Sequence, residues 1–203
     1  NLILFLIISL LLSTFIIRNL DINFLINTIL VTSAFYLFLI TLKDFFSKKF
    51  KNLSQNLAHF SFSLLILSIL FNNFLSTEII TNLKINETYE NDALKINFEG
   101  IEQRDEQNFK AIIGKFVIEH NGGQTDIMQP ELRIYNQPNI ITSEADIKTT
   151  LYKDKFMTMN SVQNQEYFNI RYQVKPFMIW IWLSTFLISL SGLIGFFKKR
   201  YEN

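Results

Sequence analysis

The sequence predicts a membrane protein: an α-helical transmembrane bundle of about four helices, with a small, exported all-β domain inserted before the last helix. Three observations carry this expectation. Hydrophobic residues make up 49% of the 203 and charged residues only 18%, and Phe alone occurs 21 times. The charge is also segregated: residues 22–42, 57–75 and 177–197 contain no Lys, Arg, Asp or Glu, whereas 76–174 holds 15 acidic and 10 basic residues. Finally, four apolar runs approach the ~20 residues needed to cross a hydrocarbon core of about 30 Å, and in lipid each must be helical because no water is present for unpaired backbone groups.

Residues 1–75 are expected to form three transmembrane helices, at about 2–17, 22–42 and 57–75. The first is the shortest, and a tight link carrying Arg18 and Asp21 joins it to the second. The sequence opens inside an apolar run with no basic stretch before it, unlike a secretory signal, so a fragment or the C-terminal piece of a longer membrane protein is expected. Lys43, Lys48, Lys49 and Lys51 separate the second and third helices, and Lys198, Lys199 and Arg200 follow the fourth. Both basic clusters mark cytoplasmic or matrix-side ends. Segment 76–174, formally −5, is then exported, and 175–203 returns as a helix at about 177–197 with a basic tail. Trp180 and Trp182 fall near the outer end of that helix, where interfacial aromatic residues collect.

The exported segment reads as strands. Leu94–Phe98 and Phe109–His120 show partial alternation with β-branched residues, and Asn121-Gly122-Gly123 signals a hairpin turn. Pro130 interrupts Thr125–Tyr135 and makes that stretch an edge or a bend. Lys155–Val162 and Tyr167–Val174 complete the set, and a small antiparallel sandwich or partly open barrel fits.

Several chemistries are excluded. Without cysteine there are no disulfides, no thiolate metal sites and no CxxCH haem attachment. A net charge of +1 and the lack of a basic stripe argue against nucleic acid. No nucleotide-loop, zinc-protease or nucleophile-elbow motif occurs. His59 stands out, because an ionisable side chain inside a membrane segment is costly and marks a functional site by default. A neutral imidazole suits a haem iron or another transition metal. A histidine near a helix end that reaches interfacial water is the competing reading. His120 reads as a solvated hairpin residue, and Glu99, Glu102, Asp105 and Glu106 as a solvated acidic loop.

Four separate runs occur in an order that resembles a known family. They are Pro130-Glu131-Leu132-Arg133-Ile134-Tyr135, then Thr142-Ser143-Glu144-Ala145-Asp146-Ile147, then Lys175-Pro176-Phe177-Met178-Ile179-Trp180-Ile181-Trp182-Leu183, then Lys198-Lys199-Arg200-Tyr201. Together they resemble the end of the CcmF family, cytochrome c-type biogenesis proteins of the Ccm (system I) pathway. Leu57-Ala58-His59 matches that family's LAH element upstream, so the resemblance covers about 50–201. Departures are Leu132 for a basic residue, Ser143 at the start of the TEA motif, and Ser61 and Ser184 where the family has Gly.

The resemblance implies a function. Such a chain is the C-terminal module of a haem lyase, supporting covalent attachment of haem, the substrate, to CxxCH motifs of apocytochrome c. It implies that His59 is the cofactor-binding residue, an axial ligand to the iron of a transmembrane haem b. The second ligand and the tryptophan-rich haem-handling loop belong to the N-terminal part of the family, so no catalytic residue is assigned here and the chain is not expected to be catalytic alone. Implied partners are the N-terminal part of CcmF, a CcmH-type subunit, the holo-CcmE haem chaperone and apocytochrome c, with no nucleic acid. The implied location is the bacterial or mitochondrial inner membrane, with 76–174 on the periplasmic or intermembrane-space side. Glu131, Arg133 and Tyr135 are candidates for a supporting hydrogen-bond cluster or an ordinary strand-end salt bridge. The alternative function is a non-enzymatic membrane scaffold whose exported β-domain binds a partner protein.

Overall fold

The computed structural model describes residues 2–18, 20, 23–47, 53–161 and 166–201. The chain forms two compact units, one of Asn1–Leu75 with Pro176–Asn203 and one of Ser76–Lys175. The first is helical, with α1 Leu2–Arg18, α2 Phe24–Ser47, α3 Leu53–Leu75 and α4 Met178–Tyr201. Helices α2, α3 and α4 are long and apolar enough to cross a membrane, and α1 is a shorter apolar helix of 17 residues. The helices outrun their apolar cores. Ser54, Gln55 and Asn56 extend α3 backwards, and Lys43 and Lys198 lie inside α2 and α4 rather than in loops. Polar and charged residues propagate a helix as long as no Gly or Pro stops it. Asp21, Lys48, Lys49 and Lys51 lie outside the described residues, and for Lys199, Arg200 and Tyr201 only the helical backbone is described.

Within this unit the helices pack in chain order, α1 on α2, α2 on α3 and α3 on α4. The α3–α4 seam is built from small residues: Ser54, Ser61 and Ser68 recur every seven positions, facing Ser184, Ser191 and Gly195. The Ser54 hydroxyl donates to the Ser191 carbonyl at 2.8 Å, and a Cβ at Gly195 would come within 2.7 Å of that same oxygen. Small side chains let the two backbones approach, which is how helices associate without a hydrophobic drive between them. Ser61 and Ser184 act as such spacers. Each is fully buried and returns its hydroxyl to its own helix, Ser61 to the Leu57 carbonyl at 2.7 Å and Ser184 to the Trp180 carbonyl at 2.6 Å. The α2–α3 seam is bulkier, with Phe38 and Phe45 against Phe60 and Phe35 against Phe71.

The entry to α4 is sharply bent. Phe177 has φ 61°, a conformation uncommon for a bulky residue. Its ring packs on Phe71 at 5.4 Å, and the Pro176 carbonyl accepts from Asn72 Nδ2 at 2.6 Å. Those contacts to α3 hold the turn.

The second unit is a β-sandwich. One sheet runs β1 (Thr77–Leu83), β10 (Phe168–Pro176), β9 (Lys153–Ser161) and β8 (Asp146–Thr149). The other runs β2 (Thr88–Glu90), β3 (Leu94–Asp105), β4 (Phe109–His120), β6 (Glu131–Tyr135) and β7 (Ile140–Glu144), and β5 (Thr125–Met128) also pairs with β4. Leu94, Ile96, Phe98, Phe116, Ile118, Met128 and Leu132 from one sheet meet Met157, Met159, Ile170 and Tyr172 from the other. Pro130 splits the expected Thr125–Tyr135 strand in two, because it cannot donate to the β4 ladder. It accepts instead, from the Gly114 N–H at 3.0 Å. The acidic patch is a correction: Glu99, Glu102 and Asp105 stand on the long β3 and only Glu106 is in the turn. Val162, expected to end a strand, lies outside the described residues.

Candidate functional site

His59 is the seventh residue of the 23-residue α3. The helix midpoint is Leu64, so at 1.5 Å per residue His59 is about 7.5 Å from it. That is well within the ~15 Å half-thickness of a hydrocarbon core. Its side chain is exposed, on a face of α3 that neither α2 nor α4 covers. Gln55, Phe62, Ile69 and Asn73 are exposed on the same face, with half-buried Ile66 between them. The imidazole has no hydrogen-bond or ion-pair partner among the described residues. Ser63, one turn further along α3, is turned elsewhere: it is fully buried and bonds Thr41 of α2 at 2.7 Å. A hydroxyl one turn away thus goes to the α2 seam, and His59 faces outward from this row of helices.

The donor set fits half of a haem site. An imidazole with no partner among the described residues, beside Phe62 and Ile66, would suit one ligand position of a haem iron and would need the other from elsewhere. The chain's other histidine, His120, belongs to the second unit, and no group of three metal-ligating side chains occurs among the described residues.

Glu131 and Arg133 form a strand-end ion pair to which neighbouring strands add further groups. Arg133 Nε bonds Glu131 Oε2 at 3.0 Å, and Arg104 of β3 reaches Glu131 Oε1 at 3.1 Å. Arg133 also approaches Glu144 of β7 at 4.0 Å, and its guanidinium lies 5.1 Å from the Phe109 ring, which packs on Tyr135. Hydrogen bonds to Glu131 and Tyr135 strengthen the hold of Arg133 on its proton. Two of the runs quoted above, the one ending at Tyr135 and the one containing Glu144, therefore meet on one face of the six-stranded sheet.

His120 is a second correction. Its side chain is only 20% exposed, and its Nε2 lies 3.0 Å from Asp126 Oδ2 and 3.2 Å from Lys155 Nζ. Lys155, 2% exposed, also bonds Asp126 Oδ2. Burial alone would raise the Asp126 pKa, but the hydrogen bonds from Lys155 and His120 outweigh it and hold the carboxyl below its ordinary range. Tyr172 beside them is pushed strongly upward, first by burial and then by Asp126. It stays protonated, and its buried hydroxyl finds no hydrogen-bond partner among the described residues. Asp126 and His120 come from one sheet and Lys155 from the other, so the cluster clamps the sandwich. A sequence signal for it existed: Lys155 is in period-two step with Met157 and Met159, which places it on the inward face.

The chain's relatives are consistent with this architecture. Residues 74–176 match the family model described as the CcmF C-terminal beta-sandwich. The cytochrome c-type biogenesis protein CcmF of Pseudomonas fluorescens is 24% identical over 148 residues, 73% of this chain and 22% of that protein. The Escherichia coli CcmF is 22% identical over 145 residues, 71% of this chain and again 22% of the relative. The chain thus spans about a fifth of the length of these curated relatives. A solved structure of the cytochrome c heme lyase CcmF superposes with a TM-score of 0.66 at 18% identity, covering 94% of this chain and 33% of that one, and has the same fold. With over half its length inside that family model, an α-helical membrane unit and the sandwich inserted before its last helix, this chain belongs to the CcmF family.

Proposed function

We propose that the chain is the C-terminal module of a cytochrome c haem lyase and that His59 is one axial ligand to a transmembrane b-type haem. The observation that carries this is the placement of His59. It is the seventh residue of an apolar helix long enough to cross a membrane, on an uncovered face, with its imidazole free of partners among the described residues. Leaving an ionisable group there is costly unless something takes it up, and a metal ion does so. When bound, the haem would supply an iron centre for electron transfer or structural support. The chain's own part is to hold the Nε2 or Nδ1 lone pair at a fixed depth and to exclude water with Phe62, Ile66 and Ile69. The second ligand and the haem-handling groups would come from the N-terminal part of CcmF. The CcmH-type subunit, the holo-CcmE chaperone and apocytochrome c complete the assembly that attaches haem to CxxCH motifs.

The basic residues at the far ends of α2 and α4 support an inner-membrane orientation with the sandwich on the periplasmic or intermembrane-space side. In that orientation the Arg104–Glu131–Arg133–Glu144 face would brace or dock a partner. The test is His59→Ala in the complete, assembled lyase, with His59→Gly plus added imidazole as rescue. Loss of b-type Soret absorption, restored by imidazole, is the expected result. Unchanged haem content in the variant would remove the ligand assignment. A chain that copurifies with its N-terminal partner without any haem would favour the non-enzymatic scaffold instead.

A further inference from the structure

The β8–β9 turn combines three features. First, it is apolar and exposed: Leu151 is 53% and Tyr152 70% exposed, and Ile147 just before them on edge strand β8 is 51% exposed. Second, it is rigidly presented. The Thr150 N–H donates to the Lys153 carbonyl at 3.0 Å, its hydroxyl donates to the same carbonyl at 2.7 Å, and the Lys153 N–H donates to that hydroxyl at 3.1 Å. A turn pinned by a side chain holds the two central residues outward with little entropy left to lose.

The third feature is its end of the sheet. Thr77, where β1 begins, pairs with Val174, near the end of β10. Strand β9 neighbours β10, and Lys175 Nζ lies 5.5 Å from the Phe156 ring, so the start of β9 is beside the end of β10. The turn preceding β9 is therefore at the end of the sheet where β1 begins and β10 finishes. Chain length does the rest. Ser76 alone separates the end of α3 at Leu75 from Thr77, and Phe177 alone separates Pro176 from α4 at Met178. Both helices are long and apolar enough to cross a membrane, so at this end of the sheet the chain passes directly into membrane-crossing segments at two points.

We propose that Leu151 and Tyr152 insert into the lipid interface, giving the sandwich a third attachment to the membrane beside its two covalent links. The chemistry suits that partner. Tyrosine has an apolar body and a polar tip and is favoured at headgroup depth, and leucine adds apolar area below it. Lys148, Lys153 and Lys175 flank the turn with positive charge, which complements anionic headgroups. This attachment does not depend on haem or on the lyase reading.

The absence of cysteine makes a direct test possible. The full chain carrying Leu151→Cys or Tyr152→Cys is labelled with a nitroxide and reconstituted in nanodiscs of phosphatidylethanolamine and phosphatidylglycerol. Collision rates are then measured with oxygen, which partitions into lipid, and with a nickel chelate, which stays in water. Glu166→Cys is the aqueous control, because Glu166 pairs with Lys84 just beyond the other end of β1 and its side chain is 87% exposed. The expected result is a severalfold higher oxygen-to-nickel ratio at 151 and 152 than at 166, reduced by Lys148→Glu with Lys153→Glu. Equal ratios at all three positions would overturn the proposal. Protection from both reagents would also overturn it, because the turn would then be covered by protein rather than lipid.

Discussion

The two units bury polar groups in opposite ways. In the helical unit buried Thr28 and Thr32 Oγ1 have no partner among the described residues, and the buried serine hydroxyls turn back on their own helix: Ser13 bonds the Ser9 carbonyl, Ser61 that of Leu57, Ser68 that of Leu64 and Ser184 that of Trp180. They act as spacers, small enough for close approach and already satisfied, so little of the packing depends on a bond between helices. In the sandwich the polar groups reach across. Lys155 on one sheet holds Asp126 and His120 on the other, and Ser143 of β7 donates to the Met159 carbonyl of β9 at 2.8 Å. The difference follows from the solvent each unit faces while folding. A hydroxyl in lipid has its nearest partner in its own helix, whereas a charge folding in water can wait for a distant partner. Mutations should therefore act through partner loss in the sandwich and through volume in the helices.

The largest effect is expected at Lys155. Lys155→Met keeps most of the volume and removes the charge, leaving Asp126 buried with only His120. Breaking a buried pair from one side costs about 3 to 5 kcal/mol. In the full chain in detergent, urea-dependent pulse proteolysis should show the sandwich cleaved at markedly lower urea. The same comparison predicts that Lys155→Met with Asp126→Leu recovers most of that loss, since an apolar pair leaves no unpaired charge. A double variant as unstable as the single one would mean that the cluster matters for shape rather than for charge.

Volume should dominate on the helical side. Ser184 is fully buried in the α3–α4 seam, so Ser184→Gly is expected to be nearly silent while Ser184→Leu forces the helices apart, at about 1 to 3 kcal/mol for overpacking. The chain has two tryptophans, and both are on α4, so their fluorescence during an SDS titration reports this seam. If Ser184→Gly proved as damaging as Ser184→Leu, the hydroxyl would be more than a spacer and the contrast between the units would fail.

How much of this was legible follows the same division. Helices α2, α3 and α4 were readable because a hydrocarbon core demands long uncharged runs, and their ends were misjudged where polar residues such as Ser54 and Asn56 continue the helix and where α2 and α4 begin only at Phe24 and Met178. His59 was visible as an ionisable residue in such a run, but the face it occupies was not. That face depends on which sides of α3 the other helices take, and the Thr41–Ser63 bond is fixed by packing rather than by spacing. In the sandwich, Phe109–His120 was read as a strand from end to end. Strands β1, β2, β7 and β8 were missed because short edge strands alternate weakly. The partnership of His120 with Asp126 and Lys155 joins residues up to 35 positions apart across two sheets, and local pattern cannot show that.

The smallest expected effect is the most discriminating. Thr41 and Ser63 are the place where hydroxyls of two described helices meet, at 2.7 Å, and each also has a carbonyl of its own helix in reach, Leu37 for Thr41 and Phe60 for Ser63, so that whichever hydroxyl donates to the other gives up its carbonyl. If the helical unit relies on local satisfaction, the bond between helices adds little, because either hydroxyl keeps a carbonyl partner when the other is removed. A double-mutant cycle of Thr41→Val and Ser63→Ala, followed by SDS titration of the full chain, should give a coupling of about 0.6 kcal/mol, typical of hydrogen bonds between membrane helices. A coupling of 2 kcal/mol or more, roughly the upper end of that class, would show α2 and α3 held together as the two sheets are, by a partner that cannot be replaced. The seam beside His59 would then be a fixed clamp on α3.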